Sequence, residues 1–124
     1  MTEKRAQLKF LKAIVPSIIN GDKTLEVRPR SRRWIENFSK ADEIDLTYGP
    51  RFAAPKIFAR ARLEKVEVRS FESTTSKDLK RIARGWEEKT PKEFIKVHNE
   101  WYSKELSKGY PVAWIFFKVV EVYE

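Results

Sequence analysis

The chain has 124 residues, a length that suits one domain over 1–124 and leaves little room for a second. A hydrophobic share of 41% separates it from disordered chains despite 35% charged residues, and the absence of cysteine excludes disulfides, thiolate nucleophiles and Cys-based zinc sites. Lys and Arg outnumber Asp and Glu by 26 to 18, and the excess is uneven: residues 1–62 carry 14 basic and 7 acidic groups, residues 63–124 carry 12 and 11. That asymmetry points to a directed positive field and a polyanionic partner. With no run of about 18 apolar residues, and no apolar core of a signal peptide at its start, the chain reads as soluble, cytoplasmic and not membrane-bound. Scarce Asn, Gln and Met beside abundant Lys, Arg and Glu give it a thermophile-like composition.

In chain order, residues 8–11 form a short apolar run that predicts a first strand. Pro16 suits a helix's first turn, and Gly21 suits its end. Residues 23–28 alternate as a strand, with Lys23, Leu25 and Val27 on one side and Thr24, Glu26 and Arg28 on the other. A short helix is expected over 32–38, presenting Trp34, Ile35 and Phe38. A third strand is expected over 44–48, before the Gly49-Pro50 turn. Residues 56–68 predict a long strand that places Phe58, Arg60 and Arg62 on a common face. Helices follow over 77–84 and 91–106, the second with Thr90 as N-cap and Glu93 completing a capping box. Residues 110–123 close the chain as a β-prone strand. Its nearly unbroken apolar run over 113–120 predicts a central or barrel-forming position. Five strands with few helices predict a small, partly open barrel filled by Leu25, Val27, Ile44, Leu46, Ile57, Ile115 and Phe117.

Gly21-Asp22-Lys23-Thr24-Leu25-Glu26-Val27-Arg28 follows a short helix and opens a strand. This Gly-x-Lys-x-x-Glu-x-Arg pattern resembles the signature of the ASCH (activating-signal-cointegrator homology) domains, members of the PUA-like superfamily. Asp42-Glu43-Ile44-Asp45-Leu46-Thr47-Tyr48-Gly49 resembles that family's next strand segment, with Ala41 where a Gly is usual. The resemblance covers nearly the whole chain. It implies a mixed, five- to six-stranded PUA-like barrel with short helices and a helical insert before the last strand. It also implies an RNA-binding role or, alternatively, a hydrolase of the ASCH type: a ribonuclease, or an amidohydrolase acting on a modified, acetylcytidine-like nucleoside. In the amidohydrolases a Lys, a Thr and a Glu act together. Lys23 matches the Lys and Glu87 or Glu88 the Glu, but Glu26 stands where the Thr belongs, which removes the hydroxyl nucleophile.

Without the resemblance, the motif is a cationic amine, a carboxylate and a guanidinium in one turn-and-strand unit. Such a set can hold a polar ligand by charge-assisted hydrogen bonds, or can pair internally as a surface salt bridge of little effect. Strict alternation puts Lys23 and Glu26 on opposite faces, so both reach one cleft only where the strand is irregular at its start. The expected nucleic-acid-binding residues are Lys23, Glu26, Arg28, Arg30, Arg32, Arg33, Tyr48, Arg51, Arg60, Arg62 and Trp86, arginines supplying phosphate forks and aromatics supplying stacking faces; Trp34 and Phe52 are further stacking candidates. The partner expected is RNA, single-stranded or structured. For an enzyme, the catalytic set would be Lys23, Glu26 and Glu87. His98 lies on the apolar face of its helix and is expected to be packed there, away from the cleft. One histidine without cysteine assembles no familiar zinc cluster, so no metal and no cofactor are expected.

Overall fold

The computed structural model describes residues 6–50 and 53–123. Strand β1 (Ala6–Phe10) leads into helix α1 (Val15–Ile19), with Pro16 in its first turn. Gly21, at a φ of +87° that disfavours other residues, turns the chain out of that helix. Then follow β2 (Leu25–Pro29), α2 (Arg32–Ser39), β3 (Glu43–Tyr48) and β4 (Lys56–Val68). Helices α3 (Ser76–Ile82), α4 (Pro91–Trp101) and α5 (Ser103–Ser107) form the insert before β5 (Val112–Val122). The helix predicted over 91–106 is therefore two helices, broken at Tyr102, whose φ and ψ of −107° and 23° leave the helical region. Thr90 caps α4 by accepting from the Glu93 N–H, while the full reciprocal box forms between Thr75 and Asp78 on α3.

Among the described residues the five strands form one sheet in the order β1-β3-β4-β5-β2. β1 runs parallel to β3, and every other neighbouring pair is antiparallel. The sheet curls into a half-barrel with helices around it, the mixed barrel expected from the sequence. β1 and β2 are its two edges, and the seam between them positions the site described below.

Two cores lie on opposite faces of the sheet. Leu8, Phe10, Ile44, Leu46, Ile115 and Phe117 fill the inside of the half-barrel, closed by Ile18 of α1 and by Ile35 and Phe38 of α2. Leu25, Val27, Trp114 and Phe116 pack outward against Phe71, Leu79, Ile82 and Phe94 of the insert. Six consecutive residues, Val112 to Phe117, are buried because alternate side chains serve the two cores. This explains the unbroken apolar run of the last strand. It also corrects the expected barrel filling, since Leu25 and Val27 are buried in the outer core rather than inside the barrel.

β4 departs from simple alternation. Leu46 pairs with Ala59 and Thr47 with Ile57, so Phe58 is an extra residue in the strand. This bulge buries Phe58 beside Ala59 and turns Ile57 outward to 38% exposure. Ile57 is thus not a core residue, and Phe58 does not share a face with Arg60 and Arg62.

Candidate functional site

Lys23 precedes the strand rather than starting it. Its N–H donates to Ser17 O at 2.9 Å and the Thr24 N–H donates to Arg81 O at 2.8 Å, so regular β2 pairing begins only at Leu25. This irregularity brings Lys23 and Glu26 together, as the site reading required. The Lys23 ammonium is buried, 3% exposed, and donates to Leu25 O at 2.9 Å and Ile82 O at 3.3 Å. It also lies 3.2 Å from Glu26 Oε1. Arg28 donates from Nε to Glu26 Oε2 at 2.7 Å, its Nη2 lies 2.6 Å from the same oxygen, and Nη2 donates as well to Lys9 O on β1. The Arg28 guanidinium thereby ties β2 to β1 across the seam. Burial alone would raise the Glu26 carboxyl's pKa, but the Lys23 ammonium and the Arg28 guanidinium overcome it and hold the group at about 2. The motif is a largely buried, charge-paired unit, not a loose surface salt bridge.

Above this unit opens a cleft of about 840 Å³ along the seam. Among the described residues six cationic side chains line it (Lys9, Lys23, Arg28, Arg30, Arg84 and Lys89) against one carboxylate, Glu26. Its apolar lining combines the aromatic rings of Phe10, Trp86, Trp101 and Tyr102, beside His98, with the aliphatic side chains of Leu11, Ile14, Val27 and Ile82. Trp101 is 66% exposed at the rim, with its ring 6.5 Å from that of Trp86 in an edge-on arrangement. Arg84 is held there by an unusual backbone. Ala83, Arg84 and Gly85 have φ of 59°, 61° and 90°, a left-handed run in which the first two residues carry side chains and are strained.

Of the residues expected at the site, Lys23, Glu26, Arg28, Arg30 and Trp86 converge on the cleft. The other described ones do not line it. Arg32 and Arg33 are exposed on α2, Arg60 pairs with Glu43 and Glu121, and Arg62 borders a separate depression with Asp42 and Glu43. Tyr48 packs against Phe58 with Lys12 over its ring, and Trp34 stacks on Phe38 at 4.6 Å. Arg51 and Phe52 lie outside the described residues. Glu87 is exposed and accepts from the Gly85 N–H, and neither it nor Glu88 lines the cleft. The expected Lys23–Glu26–Glu87 set is therefore not assembled, because the turn at Gly85 holds the Glu87 carboxylate against its own backbone.

His98 corrects the sequence expectation in one respect. It is packed by Phe94, Trp101 and Tyr102 of its own helical segment, as expected, yet it lines the cleft. Burial lowers its pKa, which leaves the ring neutral at pH 7. Burial likewise raises the Tyr102 hydroxyl and, with the neighbouring Arg28, lowers Arg30. Lys9, Arg84, Lys89 and Trp101 were missed in the sequence because they come from four separated segments. Trp101, three residues after His98 on an apolar stripe, was the one legible hint. Among the described residues no three His, Asp or Glu side chains group as metal ligands, and no helix is long and apolar enough to cross a membrane.

No protein-family model and no curated protein sequence matches the chain. Solved structures do. A hypothetical protein known from its crystal structure superposes with a TM-score of 0.65 at 17% identity, over 94% of this chain and 100% of its own. A Pyrococcus furiosus protein solved by NMR in solution gives 0.59 at 18% identity, over 93% and 96%. An ASCH domain from Lactobacillus crispatus gives 0.56 at 14% identity, over 88% of this chain and 71% of that one. The likeness is one of backbone rather than of sequence, and it agrees with the motif at Gly21–Arg28: the protein has an ASCH-like fold.

Proposed function

We propose that the protein is a nucleic-acid-binding domain that takes single-stranded RNA along the seam cleft. The observation that carries this reading is the lining itself, six cations against one carboxylate beside aromatic rings. Phosphates are gripped by Arg and Lys, and unstacked bases lie on exposed aromatic rings. Lys23 and Glu26 sit beneath the surface as a brace, so Lys9, Arg30, Arg84 and Lys89 are the cations that reach the backbone. If those four contact phosphates, log affinity should fall against log salt with a slope of about −3. Titration of a labelled single-stranded RNA at several salt concentrations tests it, and no binding at low salt, or binding indifferent to salt, rejects the reading.

The hydrolase alternative has less support in the geometry. The Lys23 ammonium is engaged by two carbonyls and a carboxylate, and a carboxyl held at about 2 is too weak a base to accept a proton at neutral pH. Turnover of RNA or of an acylated nucleoside would revive it.

A further inference from the structure

The His98 ring is fixed in one tautomer by its surroundings. Nδ1 lies 2.9 Å from Phe94 O, one turn back on the helix, and a carbonyl only accepts, so Nδ1 carries the proton. Nε2 is left with a bare lone pair. Among the described residues Nε2 has no hydrogen-bond partner. Although the side chain as a whole is only 7% exposed, Nε2 is not among the buried unpartnered atoms, so it keeps access to solvent where His98 lines the cleft. The ring lies face to face with Phe94, at 3.8 Å between centroids, which limits its rotation. It lies 5.3 Å from Trp86 and 5.0 Å from Trp101, the two rings offered as stacking faces. The remaining polar groups that line the cleft are mostly donors, Arg30, Arg84 and Lys89 among them. An unpaired, accessible acceptor among donors, at the edge of a stacking surface, is a reader of donors.

We infer that His98 Nε2 is the specificity-determining acceptor of the cleft, receiving an N–H from the edge of a base stacked against Trp86 and Trp101. This rests on the RNA-binding reading and adds to it a class of ligand. The preferred base presents one donor group beside an acceptor on its Watson–Crick edge, as adenine, cytosine and uracil do; guanine sets two donor groups side by side, and the second would face the donors of the cleft, so it is disfavoured. A site built around one hydrogen bond rejects the analogue that lacks it, because a base stacked over Nε2 shuts out water and leaves that acceptor unpaired.

The test uses the full chain and labelled single-stranded decamers of A, C, U and G, with His98→Asn and His98→Gln variants. Asn keeps an amide near the Nδ1 position and nothing at Nε2, whereas Gln carries an amide oxygen out to the Nε2 position. We expect the wild type to favour one of A, C or U over G by about tenfold, the effect of one well-placed hydrogen bond. His98→Asn should bring the preferred decamer down to the level of the others without changing the salt slope, and His98→Gln should restore part of the preference. Unchanged base preference in His98→Asn, or a preference for G, overturns the inference while leaving RNA binding intact. Failure of all four decamers to bind at low salt overturns the RNA reading and the inference with it. Because His98 is the chain's one histidine, a long-range 1H–15N spectrum reads its tautomer without any variant. A proton on Nε2 at pH 7 would overturn the inference by itself.

Discussion

Replacing Glu26 by Gln keeps the size of the side chain and removes its charge, leaving the Lys23 ammonium and Arg28 guanidinium buried side by side with no counter-ion. The magnitude follows from the carboxyl's own acidity. A group held at about 2 in the folded chain, against 4.5 for the free side chain, contributes about 3 kcal/mol of stability at neutral pH, at 1.36 kcal/mol per tenfold change in proton affinity. That agrees with the cost of about 3–5 kcal/mol for breaking a buried pair from one side. It would also be a large part of a typical domain's stability of roughly 5–15 kcal/mol. The sign can be checked by pH. The folded-state pKa lies below the unfolded one, so the stabilisation is complete above about 4.5 and fades as pH falls toward 2. Urea denaturation of the wild type and Glu26→Gln at pH 7 should give a gap of about 3 kcal/mol, and the gap should close between pH 4.5 and 2. A difference below about 1 kcal/mol at pH 7 would refute the brace, and an equal gap at both pH extremes would mean lost packing rather than lost charge.

Arg84→Ala and Lys89→Ala should each reduce the salt slope of RNA binding by roughly 0.7 and weaken all sequences alike, whereas Arg32→Ala and Arg33→Ala should leave the slope unchanged; the same titration reads both. Trp101→Ala should weaken single-stranded RNA by roughly 1–3 kcal/mol in a binding assay while its thermal midpoint stays near that of the wild type, because the ring is 66% exposed. Burial lowers the His98 pKa, so the unfolded chain takes up that proton first; stability should decline as pH drops below 6.5, and His98→Gln should lack this component in pH-dependent denaturation curves. Ala83→Gly relieves a φ of 59° with ψ of −151°, a region in which glycine alone is comfortable, and should raise the denaturation midpoint rather than lower it as glycine usually does.

Much of this architecture was legible because its signals are local and periodic. The final strand's apolar run, the alternation at 44–48 and the Pro16 and Gly21 punctuation each specify an element without knowledge of its neighbours. The sequence reading failed where neighbours decide. Phe58 and Ile57 exchange roles because a bulge forms against Leu46 and Thr47, and no pattern within β4 announces it. Leu25 and Val27 are as apolar as the barrel filling but face the insert, a fact fixed by the pairing of β2 with β5. The site divides in the same way. Lys23, Glu26, Arg28 and the adjoining Arg30 lie within eight residues and were readable as a unit, whereas the other cations of the cleft, Lys9, Arg84 and Lys89, come from β1, the turn after α3 and the segment before α4. Arginine density was a poor guide, since Arg60 and Arg62 are directed toward acidic neighbours by the register of β4.

The seam itself explains why a paired, buried motif stands at the base of the cleft. A barrel left open has two strand edges, and an open edge presents unpaired backbone groups that invite wrong partners. Here β1 and β2 are not joined by a backbone ladder; one is tied to the other through the Arg28 guanidinium on Lys9 O, and that guanidinium is held in place by Glu26. Glu26 in turn is held by Lys23, whose other hydrogen bonds fix it to β2 and to the end of α3, beside the strained turn that carries Arg84. The chain of contacts runs from one edge strand through the motif to the insert, so the cations and the aromatic rings that line the cleft share one support. A ligand lying along the cleft would meet groups from both edges at fixed spacing without having to order them. This makes a sharp distinction between variants. Loss of Arg84 should affect binding alone. Loss of Arg28 should lower stability, by leaving the Glu26 charge half-paired, and should weaken binding beyond one phosphate contact, by freeing β2 from β1. Hydrogen exchange of the Lys9 to Leu11 and the Leu25 to Arg28 amides in Arg28→Ala would show faster opening of both edges together. Faster exchange on only one edge, or on neither, would mean that the seam is closed by something other than this guanidinium.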